Sequence, residues 1–263
     1  MRVVIAVLLI ILTAGAQAGS QAPSKSVFQT EQIIDFAKQV EQYAAEHQAH
    51  AFIIGRVGRP EKELPKGIHF THTAVAVYSA ITLDDGSTEY GYAIHNLYQR
   101  ADDPGRSDII VDYPVDFFWG AQTLKAGIVI PTPAVQERLI ALISEQKHLG
   151  LHNPRYSVVA NPFNSERQNC TEFTLDMLQA AMYQTEDKKR IKANNAAYFK
   201  PQRVHISPLK LALGSMVTDG VTTSDHKGRV RTATFTTIGH YLAQFNLSQH
   251  AVVLYANGRT QAI

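Results

Sequence analysis

Cysteine is almost absent from this chain of 263 residues, which contains a single one, Cys170. One cysteine cannot form an internal disulfide, so no covalent cross-link within the chain stabilises the fold. The thiol is therefore buried and inert, paired with another chain, or kept for its reactivity. Which of these alternatives holds depends on the residues around Cys170.

An excess of charge of either sign is also lacking, since 25 Lys and Arg residues accompany 23 Asp and Glu residues and the formal net charge is +2. Nucleic-acid binding requires a basic surface that such a balance does not provide, so we expect no nucleic-acid partner. The sequence has no His-x-x-x-His pattern and no His/Cys cluster typical of a metal site. We therefore expect neither a metal nor another cofactor.

Long apolar runs are missing except at the N-terminus, where Met1 and Arg2 precede VVIAVLLIILTAGA and Ala16-Gln17-Ala18. A positive charge, an apolar stretch and a small-x-small site together are typical of a secretory signal peptide. The run is too short for a stable spanning helix, and no cysteine follows it to carry a lipid. We expect cleavage after Ala18, a flexible segment at residues 19–25 and a periplasmic or secreted protein. An uncleaved anchor is the alternative.

Hydrophobic periodicity predicts an α+β fold. An amphipathic helix is expected from Thr30 to about His47, and another begins at Thr132-Pro133. The Asp85-Gly86 pair is a hairpin turn signal between two strands. The predicted strands are AFIIGRVG, HTAVAVYSAI, TEYGYAIHNLY, AGIVIP and YSVVA.

The last third of the chain gives no chemical signal. We assign residues 26–185 to the main domain and residues 186–263 to an extension packed on it. The extension contains DKKRIKANN, a helix-like SPLKLALGSM, and the strand-like runs RTATFTTIGHYLAQF and AVVLYA. Turn signals at Asp219-Gly220 and Lys227-Gly228 favour a hairpin or a lid.

The segment NCTEF carries the clearest chemical pattern. Asn169 and Glu172 stand three residues apart before an apolar-periodic run, which predicts a capping box with Cys170 in the first helical turn. The helix dipole there favours a thiolate, and the free backbone amides can bind an oxyanion. The alternative is a small apolar cysteine packed under a helix end.

Two histidines lie on the predicted hairpin. His72 opens the first strand and shares a face with small alanines, which leaves room for a cleft. His95 lies on the partner strand, where the register can bring it beside His72, and Asn96 on the opposite face is an alternative orienting group. His69 is a weaker candidate base. A lone strand histidine is usually structural, so these assignments depend on the residues occurring together.

The segments HTAVAVY, AIHN and NCTEF, in that order, resemble the circularly permuted branch of the NlpC-like papain-fold cysteine peptidases, to which the lecithin:retinol acyltransferase relatives belong. The resemblance covers roughly residues 65 to 185, and its motifs are short. The hairpin turn is longer than in that group, and the chain after residue 185 has no counterpart. The whole chain also resembles a secreted bacterial family of unknown function.

The resemblance implies a papain-like fold in which an antiparallel sheet packs against the cysteine helix. It also implies Cys170 as nucleophile, His72 as general base and then acid, and His95 as orienting group, in a hydrolase that cleaves an amide bond in cell-wall peptidoglycan. A lipid or ester acyl hydrolase or acyltransferase, and a non-catalytic binding module, are the alternatives. Trp119, Asn96 and Asn169 are candidate substrate-binding residues, and Trp119 with its aromatic neighbours either lines a groove or fills the core.

Overall fold

The histidine hairpin lies in the middle of a seven-stranded antiparallel sheet. The computed structural model describes residues 25–204 and 220–263. Its strands are β1 (Ala51–Val57), β2 (His72–Thr82), β3 (Thr88–Gln99), β4 (Ser107–Asp112), β5 (Thr123–Pro131), β6 (Gln202–Arg203), β7 (Arg231–Thr232), β8 (Ser248–Tyr255) and β9 (Thr260–Ala262). The large sheet has the order β4-β3-β2-β1-β5-β8-β9, while β6 and β7 form a separate pair.

Helices cover both faces of this sheet. Those in the described residues are α1 (Thr30–Glu46), α2 (Pro114–Trp119), α3 (Pro133–Ser144), α4 (Cys170–Tyr183), α5 (Lys188–Tyr198) and α6 (Phe235–Gln244). One apolar cluster joins α3, α4 and α6 to one face, and a second joins α1 and α2 to the other. Both the α+β class and the packing of the cysteine helix on an antiparallel sheet are therefore confirmed.

The strand β2 shows why its sequence reads as a continuous apolar run. Ala74 and Ala76 belong to the cluster under α1 and α2, whereas Val75 and Val77 belong to the cluster under α4. Successive strand residues point to opposite faces, so a strand buried on both sides needs apolar residues at every position. The parity also fixes the face of His72, which is that of Ala74.

The C-terminal residues differ most from the expectation. The run RTATFTTIGHYLAQF is mostly helix α6 rather than strand, and its N-cap Thr234 forms a capping box with Thr237. The ring of Phe235 packs on glycines of β1 and β5. The packing is so close that a Cβ added at Gly127 would lie 2.4 Å from the ring. The expected strand AVVLYA is present as β8, and it pairs with β5 inside the main sheet.

Another expected strand is also absent. YSVVA forms turns and an isolated bridge between Tyr156 and Gln168, because its backbone bonds go to neighbouring loops instead of a strand. The predicted signal peptide, the SPLKLALGSM helix and Asp219 lie outside the described residues. Among the helices that the structure describes, none is long and apolar enough to cross a membrane.

Candidate active site

Helix α4 begins at Cys170 because Asn169 caps it. The side-chain oxygen of Asn169 accepts a hydrogen bond from the backbone N–H of Glu172 at 2.9 Å, as the sequence predicts. The side-chain nitrogen of Asn169 donates to the Val158 carbonyl at 2.8 Å and to the Thr232 hydroxyl at 3.2 Å. Asn169 therefore uses its polar atoms to fix the start of the helix rather than turning them towards a ligand.

The second half of the predicted capping box is not formed. The carboxylate of Glu172 is fully buried and accepts a bond of 2.6 Å from Lys192 Nζ instead of reaching back to the helix start. Lys192 also donates to both carboxylate oxygens of Asp176, at 2.8 and 2.7 Å. A buried ion pair on the first two turns of α4 thus replaces half of the box and ties α5 to α4.

Cys170 is only 3 % exposed and belongs to the apolar cluster under α4. Its sulfur lies 3.8 Å from the hydroxyl of Thr171. That hydroxyl donates to Thr73 Oγ1 at 3.2 Å, and Thr174 Oγ1 donates to the Thr73 carbonyl at 3.3 Å. These contacts dock the first turn of α4 on the residue that follows His72 in β2.

The hydrogen bonds of His72 define its tautomer. Its Nε2 lies 2.8 Å from Asn96 Oδ1, and Asn96 Nδ2 donates to the Ile94 carbonyl at 2.9 Å. Because the Ile94 bond fixes the amide orientation, Asn96 offers an acceptor and Nε2 carries the proton. The lone pair of the neutral ring is therefore on Nδ1, which is buried and has no hydrogen-bond partner in the described part of the chain.

Aromatic rings enclose the His72 imidazole. The ring of Tyr98 stacks on it at 4.6 Å and 7°, and the Phe117 ring lies 5.5 Å away. Tyr98 donates its phenolic proton to Asp112 at 2.5 Å. Burial raises the pKa of Tyr98, the charge of Arg56 lowers it, and the Asp112 carboxylate raises it further. Tyr98 thus links the His72 ring to Asp112 of β4.

Arg56 is a charged neighbour that the sequence analysis missed. It is 2 % exposed on β1, directly opposite His72 in the strand register. Burial lowers the pKa of His72 well below its usual value, the charge of Arg56 lowers it further, and the Asn96 bond opposes both effects. An arginine inside the apolar run AFIIGRV was the available signal.

The expected contact between His72 and His95 is wrong. His95 pairs with Val75 in the register, so its side chain lies on the α4 face, opposite to that of His72 and Asn96. Its ring contacts His148 at 5.2 Å, and His148 is also buried. Burial and His148 lower the pKa of His95 to about 4. The two histidines therefore belong to different environments.

The aromatic segment before β5 forms helix α2 and mostly fills the core. Phe117 and Phe118 are fully buried, and the partly buried Trp119 packs on the cluster under α1. Tyr113, just before the helix, is 40 % exposed. Of the aromatic rings in this segment, that of Phe117 contacts His72.

His69 lies in the loop before β2 rather than on the sheet. With residues 61 and 64–68 it lines a surface cavity of about 250 Å³. Within residues 25–204 and 220–263, no three His, Cys, Asp or Glu side chains are grouped closely enough to bind a metal ion. The described residues place the His72 imidazole and the Asn96 amide together on one face of the sheet. Cys170 belongs to the cluster on the other face, and the contacts of Thr171 and Thr174 with Thr73 join its helix to β2.

Comparison with known proteins assigns the chain to a family without giving a reaction. The chain belongs to DUF2145, a family of uncharacterised proteins conserved in bacteria, whose model matches residues 43–242. No curated protein and no solved structure matches the chain significantly.

Proposed function

We propose that this protein is a cysteine hydrolase with a papain-like arrangement, in which Cys170 is the nucleophile, His72 the general base and Asn96 the orienting group. The carrying observation is the Nδ1 atom of His72, which is buried without a hydrogen-bond partner among residues 25–204 and 220–263, while Nε2 is bound to Asn96. Leaving a buried polar atom unpaired costs about 1–3 kcal/mol. A catalytic role would explain why this atom is left unpaired.

Asn96 fits the orienting role better than His95. It is fully buried, shares a face with His72 and is itself fixed by the Ile94 carbonyl. A Cys-His-Asn set is one of the known variants of the nucleophile, base and orienting-group arrangement. The ring contact of His95 is with His148 rather than with His72, so we assign it a structural role.

The reaction that these groups support is acyl transfer to water. As the sulfur of Cys170 attacks the substrate carbonyl, its proton passes to Nδ1 of His72. The backbone amides at the start of α4 stabilise the oxyanion. When the intermediate collapses, the bond to the leaving amine or alcohol breaks, and the leaving group takes the proton from His72. Water, deprotonated by His72, then hydrolyses the thioester and regenerates the thiol.

The substrate class follows from the predicted export. A protein carrying a cleaved signal peptide meets cell-wall material in the periplasm or outside the cell, so we propose an amide bond in a peptidoglycan peptide. A lipid or ester acyl group is the alternative substrate for the same chemistry. Cys170 and His72 are 3 % and 1 % exposed, and Cys170 belongs to the cluster under α4 whereas His72 shares the opposite face with Ala74. The proposed reaction therefore requires a movement that admits substrate and brings the thiol to Nδ1.

The substrate proposal is tested by product release. Purified protein is incubated with defined peptidoglycan peptides and, separately, with short-chain acyl esters, and the products are identified by mass spectrometry. New amino termini from the peptides, absent in Cys170→Ala and His72→Gln, support the amidase. Turnover of esters alone supports the acyl-ester alternative. Binding of peptides without turnover of either substrate indicates a non-catalytic module.

A further inference from the structure

Arg56 and His72 form a cross-strand pair at the edge of the candidate site. They are directly opposite in the register of β1 and β2, and antiparallel partners at such positions point to the same face. Both side chains are almost completely buried, at 2 % and 1 % exposed. A permanent cation thus lies beside the base in a region from which water is excluded.

The same two aromatic rings contact both side chains. The guanidinium carbon of Arg56 lies 5.7 Å from the centre of the Tyr98 ring and 5.4 Å from that of Phe117. His72 lies 4.6 Å from Tyr98 and 5.5 Å from Phe117. Cation–π contact with the ring faces stabilises the guanidinium charge there. Arg56 therefore shares an enclosure of low dielectric with the imidazole.

Charge repulsion in that enclosure opposes a second cation. Arginine does not lose its proton under physiological conditions, so the group that stays neutral is the histidine. We propose that Arg56 is a positioning residue that keeps the imidazole of His72 uncharged in the resting protein, so that proton transfer from Cys170 waits for substrate. The catalytic part of this inference rests on the proposed function, whereas the charge state of His72 does not.

The other groups around His72 either contact its ring or act on the residues next to it. From β3, Asn96 accepts from Nε2 and Tyr98 stacks on the ring; from β4, Asp112 is one contact further away through the Tyr98 phenol. Asp116 of α2 acts on Asp112, and Cys170 of α4 acts on Tyr98. The only fixed cation recorded as acting on His72 from these described elements is Arg56.

This arrangement has a consequence for the chemical step. During attack, the imidazolium forms together with the oxyanion, whose negative charge offsets the repulsion by Arg56. The same repulsion then favours transfer of the proton from His72 to the leaving group. Arg56 thus disfavours a thiolate-imidazolium pair in the empty site and favours expulsion of the leaving group.

The test is direct titration of the His72 ring by nitrogen-15 NMR. In wild type at pH 7, one ring nitrogen should carry a proton and the other should not; two protonated nitrogens would overturn the inference. In a Cys170→Ala background, Arg56→Met and Arg56→Gln should each raise the midpoint of His72 protonation by at least one pH unit. Arg56→Lys, which retains the charge, should leave it nearly unchanged.

Arg259 provides the matched control, because it also makes a cation–π contact, at 4.1 Å from the Tyr255 ring, but on the β8–β9 hairpin. Arg259→Met should not move the His72 midpoint. An unchanged midpoint in a folded Arg56→Met or Arg56→Gln protein would overturn the proposal. Because the titration needs no acyl transfer, a shifted midpoint in a protein that hydrolyses nothing would refute the proposed function and leave the role of Arg56 intact.

Discussion

His72 and Asn96 lie on adjacent strands and share a hydrogen bond of 2.8 Å that gives the imidazole a defined tautomer. Because Nε2 already carries a proton in this bond, Nδ1 is the only ring nitrogen able to accept one. Since α4 docks on Thr73, the residue after His72, the elements that carry His72 and Cys170 are fixed to each other.

Removing the Asn96 amide should impair the base without removing it. We expect Asn96→Ala to slow acylation of Cys170 by roughly ten- to a hundredfold, a fraction of the ~10²–10⁴ that a positioned general base contributes. The Asn96 bond raises the pKa of His72, so its loss should move the acid limb of the rate profile to lower pH. His95→Gln is the matched control on the same strand, and an equal loss in both variants would contradict the assignment.

The buried ion pair behind the cysteine should be a major contribution to stability. Lys192→Met leaves Glu172 and Asp176 without their cation, so we expect a loss of about 3–5 kcal/mol in the free energy of unfolding. Lys147→Met, which removes a surface pair with Glu145, should change little. Denaturant titration of the two variants checks this. Similar unfolding midpoints for both would show that the buried pair is not strongly stabilising.

The same pair predicts alkaline sensitivity. Burial alone would lower the pKa of Lys192, but Asp176 and Glu172 outweigh it and raise the pKa to about 12. A raised lysine pKa contributes stability that is fully present below the unfolded value of about 10.4 and is lost as the pH rises to the folded value. Stability should therefore fall between these two pH values in wild type, and this fall should be smaller in Lys192→Met.

His95 should make the protein sensitive to acid. Its pKa of about 4 lies below the ordinary value of 6.5, because burial and His148 disfavour the charged ring. The unfolded chain therefore takes up the proton first, so stability falls as the pH drops from 6.5 towards 4, by up to about 3 kcal/mol. Unfolding curves at several pH values should show a smaller fall in a folded His95→Gln variant. An unchanged slope would mean that His95 is not buried in the neutral form.

The packing of α6 on the sheet can be tested at a glycine. A Cβ at Gly127 would lie 2.4 Å from the Phe235 ring, so Gly127→Ala should destabilise the fold by about 1–3 kcal/mol. Adding Phe235→Leu should recover part of the loss, because the smaller side chain can move away. Gly150→Ala is the control, since nothing lies within 4 Å of its added Cβ. Equal stabilities of the two alanine variants would contradict the placement of α6.

Local signals predicted the start of α4 and the histidine hairpin. The Asn169 cap depends on residues three apart, and the hairpin on a turn and two apolar runs, all of which are visible in the sequence. The partner of His72 was not visible, because a shift of one residue in register exchanges His95 for Asn96. Only the tertiary pairing of β2 with β3 fixes that choice.

Long-range packing explains the other differences. The threonine-rich run before β8 reads as strand, yet Thr234 caps a helix whose Phe235 needs glycines from two distant strands. Likewise, Arg56 lies beside His72 and Tyr98 only because β1, β2 and β3 are neighbours in the sheet. Sequence periodicity does not show such contacts between residues that are distant in the chain.

The central claim is that His72 activates Cys170, and the most direct measurement is the rate at which p-nitrophenyl acetate acetylates Cys170, followed by intact-protein mass spectrometry. A base in contact with the thiol accelerates such a step by roughly 10²–10⁴. We expect an acetyl adduct on Cys170 in wild type, a rate at least about a hundredfold lower in His72→Gln, and a nearly unchanged rate in His95→Gln. Equal rates in wild type and His72→Gln, or modification only after denaturation, would contradict the account.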